Sequence, residues 1–316
     1  MKITEIIERA KKPLISYEII PPKRGGSLQQ IIGMVESLLP YEPPFIDVTS
    51  HAAEVSYEEL SNGVVKQQVK RKRPGTLGIC AAIKSKYGIE TVPHLLCEGF
   101  TREETEDALI ELHYLGVQNV LALRGDGGTM KPMSSNRTKN QYASDLVAQI
   151  RAMNDGHYLE DMLDAAKTDF CVGVAGYPEK HFQAPNLSRD ITYLKQKVDA
   201  GAQYIVTQMF FDNAHFFRFV EACRAAGITV PIIPGLKVIT TKNHLRTLPS
   251  SFHIEIPQQL VEEIEAAKPE QVAEIGMRCA IQQSEALLSA GYNLHYYIMQ
   301  NTKNILPVVK AVHKMA

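Results

Sequence analysis

Short apolar or β-branched runs alternate along this chain with longer stretches whose apolar residues recur at helical spacing. The strand-like runs are Leu14–Ile19, Phe45–Thr49, Thr91–Leu96, Asn119–Arg124, Phe170–Ala175, Tyr204–Gln208, Ile232–Leu236 and Leu294–Met299. Between them, Ser27–Leu39 carries apolar residues at Ile31, Ile32, Met34, Val35, Leu38 and Leu39, with Ser27 placed as N-cap. Arg102–Leu115 follows Thr101, and Glu104 completes a capping box. Ser188–Ala200, Asn213–Ala226 and Asn301–His313 continue the helical series. The segment around Cys80 also reads as helix, because Ile79, Ile83 and Tyr87 share a face and Pro74 suits a helix start. This is the βαβα pattern of an α/β protein. Eight strands, each followed by helix, predict a (β/α)8 TIM barrel. A doubly wound sheet is the alternative, but no GxGxxG follows the first strand. Lys242–Gly291 holds helices and no strand, so it reads as an elaborated seventh crossover within one domain spanning residues 1–316.

Composition narrows the class. The chain has 316 residues, 45% hydrophobic and 22% charged, ordinary for a globular protein with a large core. Lys plus Arg is 34 and Asp plus Glu is 35, for a net charge of −1, which argues against a dedicated nucleic-acid partner. The five cysteines, Cys80, Cys97, Cys171, Cys223 and Cys279, form no CxxC pair and read as reduced thiols packed as small apolar groups. Met1–Lys12 is amphipathic and charged, without a signal-peptide apolar region, and no run reaches the length of a membrane span. A reducing, cytoplasmic location with no membrane partner is expected.

In a barrel, function gathers at the C-terminal strand ends. Glu18 lies in the apolar run SYEIIPP. It is either an outward or ion-paired glutamate, or an acid in a partly dry barrel mouth. Thr49, Ser50 and His51 follow the second strand as ligand contacts or caps. His94 sits in the third strand, and a lone strand histidine is more often a hydrogen-bonded core residue than a ligand. No HxH or HExxH motif supports a metal site. Leu123-Arg124-Gly125-Asp126 closes the fourth strand with a cationic fork, a residue permitting close backbone approach and a carboxylate. Tyr177 and His181 follow the fifth strand, with Asp190 and Lys197 on one face of the next helix. Gln208 ends the sixth strand with an amide suited to a heterocycle edge. Gly235 interrupts the seventh strand and invites close ligand approach, and His295, Tyr296 and Tyr297 lie in the eighth.

Taken in order, SYEIIPP, DVTS, VPHL, LALRGD, YASDL, AGYPEKH, LKQKVDAGAQYIVTQMFFDN, IIPGL and LHYY resemble the methylenetetrahydrofolate reductase family, in its single-domain bacterial form, over almost the whole chain. The resemblance implies a barrel that binds FAD noncovalently without a Rossmann domain. It implies hydride transfer from NADH or NADPH to FAD, then to 5,10-methylenetetrahydrofolate, in one site used in turn. The product, 5-methyltetrahydrofolate, would supply methyl groups for methionine synthesis. Glu18 would be the general acid that opens the methylene bridge, and Asp126 would stabilise the cationic iminium and tune the flavin. Gln208 would touch both pterin and nicotinamide, with Thr49, Asp126 and Tyr297 also at the substrate. Thr49, His94, Arg124, Gly125, Asp126, Tyr142, Ala143, Tyr177, His181, Asp190 and Lys197 would line the FAD site. Association into homo-oligomers is a further implication.

The chain departs from the family pattern in places. Relatives read HFYTLNR where this chain reads HYYIMQN, which puts Asn301 where a cation would hold the folate's glutamate tail. Lys237 follows IIPGL where relatives read IMP or ILP, and Tyr193 and Gln196 stand between Asp190 and Lys197. The sequence ends just past the last barrel helix, so no allosteric control of the eukaryotic type is expected. Two other readings share parts of this pattern. One is a different flavin-dependent barrel oxidoreductase, such as a proline dehydrogenase-like enzyme, which needs no acid at Glu18. The other is a noncatalytic folate- or flavin-binding barrel.

Overall fold

The structure, a computed structural model, describes the chain except residues 53, 62, 71, 72, 74 and 126–137. The strands are β1 (Ile15–Ile19), β2 (Phe45–Val48), β3 (Glu54–Glu59), β4 (Val65–Lys70), β5 (Glu90–Leu96), β6 (Asn119–Leu123), β7 (Cys171–Gly176), β8 (Tyr204–Thr207), β9 (Ile232–Ile233), β10 (Gly235–Leu236) and β11 (Leu294–Met299). The helices are α1 (Ile3–Arg9), α2 (Leu28–Leu38), α3 (Leu77–Tyr87), α4 (Arg102–Tyr114), α5 (Ala143–Asn154), α6 (Leu187–Asp199), α7 (Asn213–Ala225), α8 (His244–Phe252), α9 (Gln258–Ala266), α10 (Val272–Ser289) and α11 (Leu306–Val312).

All strands except β3 and β4 form one parallel sheet in the order β10-β11-β1-β2-β5-β6-β7-β8-β9. The two ends of that order, β9 and β10, are halves of one strand broken at Pro234, which has no N–H to give a ladder. β9 pairs with β8 and β10 with β11, so the order closes on itself as a TIM-type barrel. The strands are buried along nearly their whole length, as a parallel sheet covered on both faces requires. Helix caps follow the sequence signals: Gln29 N–H donates to Ser27 Oγ at 3.0 Å, and Thr101 and Glu104 close a reciprocal capping box at 2.9 and 3.0 Å.

Three features differ from the expected pattern. β3 and β4 form an antiparallel hairpin between the second barrel strand and α3, where no strand was expected. The last helix begins at Leu306 rather than Asn301, with Pro307 in its first turn. The amphipathic N-terminal stretch is α1, which seats Ile3 among Phe45, Val92, Leu121, Cys171, Tyr204, Val206 and Ile233 inside the barrel. Asn119 Oδ1 accepts from Ile3 N–H at 2.9 Å and its Nδ2 donates to the Met1 carbonyl at 2.9 Å, so α1 closes the N-terminal end.

The crossover after the seventh strand holds α8, α9 and α10. They bury a second apolar cluster containing Ile239, Leu248, Leu260, Ile264, Val272 and Ile275, against which Tyr297 packs. The barrel is therefore plugged below by α1 and built up on one side of its mouth by this crossover.

Candidate active site at the barrel mouth

β1, β2 and β5 lie side by side, and Glu18 pairs in register with Asp47. His94 on β5 places Nε2 3.6 Å from Glu18 Oε2 and 3.4 Å from Asp47 Oδ2. Exposure grades through this trio: Glu18 is 12% exposed, His94 5% and Asp47 0%. Glu18 is thus not an outward-facing glutamate; it faces the interior beside the His94 imidazole, at the solvent-facing end of a buried acid–imidazole–acid group. Burial pushes the Asp47 carboxyl well above the usual carboxylate range, because the charged form loses its hydration there. Neither Asp47 oxygen accepts a hydrogen bond among the described residues.

β11 completes this side. The Tyr297 hydroxyl donates to the Thr207 carbonyl at 2.5 Å, and Lys237 Nζ donates to the Tyr297 carbonyl at 2.9 Å. Burial pulls Lys237 down to about 8, with the nearby Glu18 charge opposing that shift. Burial raises Tyr297 well above its ordinary value, reinforced by Glu18, Asp47 and Tyr177. His295 is fully buried, 2.8 Å from Ser16 Oγ through Nδ1, and burial with the neighbouring His94 lowers it to about 3. The imidazole of His295 is therefore neutral at ordinary pH. The open position at Gly235 serves the fold directly: a Cβ there would lie 2.2 Å from the Thr207 carbonyl and 2.5 Å from the Tyr297 ring. The close approach expected of a ligand is made by Tyr297.

Across the mouth, the ends of β6 and β7 carry a second group. Arg124 stacks 5.8 Å from the Tyr142 ring centroid, lies 3.7 Å from Glu98 and donates to Gln183 Oε1. Gln183 N–H in turn donates to His181 Nδ1 at 3.2 Å. Gly125 has φ +101°, a conformation that disfavours a side chain, and a Cβ there would press on Glu98 at 3.2 Å. The His181 ring packs edge-on against Tyr177 at 4.7 Å, and the His181 backbone N–H donates to Asp190 Oδ2 at 2.9 Å. Lys197 Nζ donates to the Ala175 carbonyl at 2.6 Å. Burial and then the Lys197 charge hold His181 down at about 4, and burial lowers Lys197 to about 8. Asp190 and Lys197 do share a helix face, and it is turned inward onto the end of β7 rather than to solvent.

Thr49 is buried at the end of β2, and its Oγ1 has no hydrogen-bond partner among the described residues. Gln208 lies just past β8, with its Oε1 accepting from Met209 N–H at 2.9 Å. Tyr142 is exposed and precedes Ala143, the first residue of α5. Asp126 lies outside the described residues. The structure thus brings Glu18, His94 and Tyr297 into one cluster, and Arg124, Tyr142, Tyr177, His181, Asp190 and Lys197 into another. The residue the sequence reasoning missed is Asp47. Its signal was available: a carboxylate inside the apolar run FIDVT is as anomalous as the one that singled out Glu18. Among the described residues, no group of three His, Cys, Asp or Glu side chains is placed to hold a metal ion. No helix among them is long and apolar enough to cross a membrane.

Fold and site together define a (β/α)8 barrel with its polar side chains gathered at the C-terminal strand ends. The chain belongs to the methylenetetrahydrofolate reductase family, whose profile it matches over residues 2–313. It is 34% identical to Methylenetetrahydrofolate reductase 2 of Saccharomyces cerevisiae, over 99% of this chain and 50% of that protein. It is 32% identical to Methylenetetrahydrofolate reductase 1 of Schizosaccharomyces pombe, over 95% of this chain and 46% of that protein. The chain spans about half the length of these relatives. The 5,10-methylenetetrahydrofolate reductase of Salmonella typhimurium is 30% identical, over 77% of this chain and 70% of that protein. A solved structure superposes with a TM-score of 0.63 at 12% identity, covering 99% of both chains; it is described as an uncharacterized protein from Clostridium thermocellum that binds two copies of 5-methyl-5,6,7,8-tetrahydrofolic acid.

Proposed function

We propose that this protein reduces 5,10-methylenetetrahydrofolate to 5-methyltetrahydrofolate with NADH or NADPH as electron source and FAD as bound cofactor. The observation that carries the reading is Glu18, set at the solvent-facing end of a buried polar trio in the barrel of a methylenetetrahydrofolate reductase family member.

The residues present fit a flavin dinucleotide. Thr49 Oγ1 is a buried polar atom without a partner among the described residues, and Gly125 holds a backbone position where a side chain would crowd Glu98. Arg124, Tyr142, Tyr177 and His181 form an aromatic and cationic shelf suited to a flat ring system with a diphosphate. Thr49, His94, Arg124, Gly125, Tyr142, Ala143, Tyr177, His181, Asp190 and Lys197 would hold it, with Asp126 assigned by sequence resemblance. When bound, FAD would supply the hydride chemistry, accepting from the nicotinamide and donating to the folate.

The chain's own part is proton management and orientation. A methylene bridge between two nitrogens accepts a hydride only after one C–N bond opens to an iminium, and the leaving nitrogen then needs a proton. Glu18 is the acid placed to give it. Gln208, at the end of β8, offers an amide edge to whichever heterocycle occupies the mouth. Tyr297, in register with Glu18 on the neighbouring strand and clamped to Thr207, fixes the wall beside Glu18.

The test is the visible spectrum of the purified protein, followed anaerobically. A yellow protein that bleaches with NADH or NADPH and recovers its colour with methylenetetrahydrofolate supports this reading. Colour that bleaches and ignores the folate favours another flavin oxidoreductase. A protein that takes up no FAD contradicts it.

A further inference from the structure

Asp47 is the group the proposed reaction does not use. It is a fully buried carboxyl in the barrel interior, with no hydrogen bond to either oxygen among the described residues and with His94 Nε2 3.4 Å away. A buried polar group left unpaired costs about 1–3 kcal/mol, so packing alone gives no reason for a carboxyl here.

We infer that Asp47 is a positioning residue for the acid at Glu18: it claims the Nε2 edge of His94, forms with that imidazole a pair of zero net charge holding one proton, and so denies Glu18 a cationic partner there. The inference rests on the reading of Glu18 as general acid. A single Nε2 edge faces two carboxyls, at 3.4 Å to Asp47 and 3.6 Å to Glu18. Only one N–H can stand on that edge. If Asp47 is ionised, it takes the imidazolium; if it is protonated, it donates to a neutral ring. In both states the Asp47–His94 pair is neutral. At the His94 edge Glu18 then meets no net positive charge, and a dry setting there favours its protonated form. Without the Asp47 carboxyl, the His94 Nε2 edge takes the Glu18 proton and pairs with the resulting carboxylate, which removes the acid.

Among the described residues, the other groups facing the trio add no charge to the Asp47–His94 pair itself. Tyr204 on β8, Tyr297 on β11 and Cys80 on α3 face the Asp47 charge, and burial raises all three, so they are neutral at ordinary pH. His295 on β11 faces His94 and is held neutral by burial. Lys237, beyond β10, faces Glu18 and stays cationic below about 8; it draws Glu18 toward ionisation with or without the Asp47 carboxyl, so the shift on losing Asp47 is read on top of it.

The test uses the FAD-loaded full chain. Asp47→Asn should leave flavin reduction by NADH within about twofold of wild type. In single-turnover oxidation of the reduced flavin by methylenetetrahydrofolate, the alkaline limb of the pH profile should move down by about one unit or more, with about a tenfold loss near neutral pH. An unshifted limb, or equal loss in both half-reactions, overturns the inference. A second readout needs neither turnover nor a folded Asp47 variant: infrared difference spectra between wild type and Glu18→Gln should show a protonated glutamate carboxyl persisting at about pH 7. Glu18 found ionised below about pH 6 in the wild type overturns the inference as well. If wild type accepts electrons from NADH but never passes them to the folate, the proposed reaction fails, and the infrared result still decides the state of Glu18.

Discussion

The Tyr297 hydroxyl on β11 donates to the Thr207 carbonyl on β8 at 2.5 Å, reaching across the strand that Pro234 breaks into β9 and β10. The ring passes over Gly235, where the backbone itself would otherwise be covered by a side chain. Gly235 N–H also donates to Thr207 Oγ1 at 3.0 Å. The closing strand of the barrel is therefore held by side chains where its ladder is interrupted, and the clamp sits beside the mouth.

Gly235→Ala tests the clamp. The added methyl would lie 2.2 Å from the Thr207 carbonyl, a backbone atom that cannot swing away. Overpacking of this kind costs about 1–3 kcal/mol. The variant should unfold at lower denaturant concentration with an unchanged m-value. A variant as stable as wild type would show that the strand can shift without cost.

Thr49→Val separates fold from cofactor. The replacement keeps the shape and removes a buried hydroxyl without a partner among the described residues. The apoprotein should be as stable as wild type or slightly more so. Affinity for FAD should fall by about tenfold, the worth of one hydrogen bond near 1.4 kcal/mol. Equilibrium dialysis with FAD and thermal melts of the apoprotein read the two effects apart. Unchanged FAD affinity would remove Thr49 from the cofactor site.

Glu179 gives the fold a pH dependence of its own. It is largely buried after β7, accepts from Glu255 N–H at 2.6 Å and lies 3.7 Å from His215. Burial pushes it up to about 7, with the Glu255 N–H opposing. A folded-state value above the unfolded one means that Glu179 contributes most below its unfolded value, and that this contribution fades as pH rises through about 7. Glu179→Gln keeps the acceptor and removes the titration. It should stabilise the protein by about 1–2 kcal/mol at alkaline pH relative to wild type, with the difference closing below about pH 5. Melts across that range check it. A difference that grows on acidification would reverse the assignment.

The barrel was legible in the sequence because its strands are buried on both faces and so read as unbroken β-branched and apolar runs. FIDV and NVLAL are examples, the former broken only by Asp47. The hairpin β3–β4 was missed for the opposite reason. Its residues 57–59 and 65–67 are exposed, and a solvated strand carries no core-facing run to mark it. The sequence did hold a turn signal in SNG between the two strands. α1 read as an amphipathic stretch, but the seating of its Ile3 in the barrel involves Asn119, more than a hundred positions away. Glu18 and His94 were each singled out, while their meeting at one imidazole edge was not, because strand spacing fixes which face a residue takes and not which neighbour it meets across β2. Asp47 carried a signal of its own, a carboxylate inside an apolar strand, but its place between Glu18 and His94 depends on that cross-strand register.

The measurement that tests the account most directly is stopped-flow separation of the two half-reactions in Glu18→Gln. The amide keeps the shape of the site and cannot give up a proton. Flavin reduction by NADH should proceed at close to the wild-type rate, while oxidation of the reduced flavin by methylenetetrahydrofolate should fall by at least about 100-fold. A variant that passes electrons to the folate at the wild-type rate, or that loses flavin reduction instead, would contradict the role assigned to Glu18.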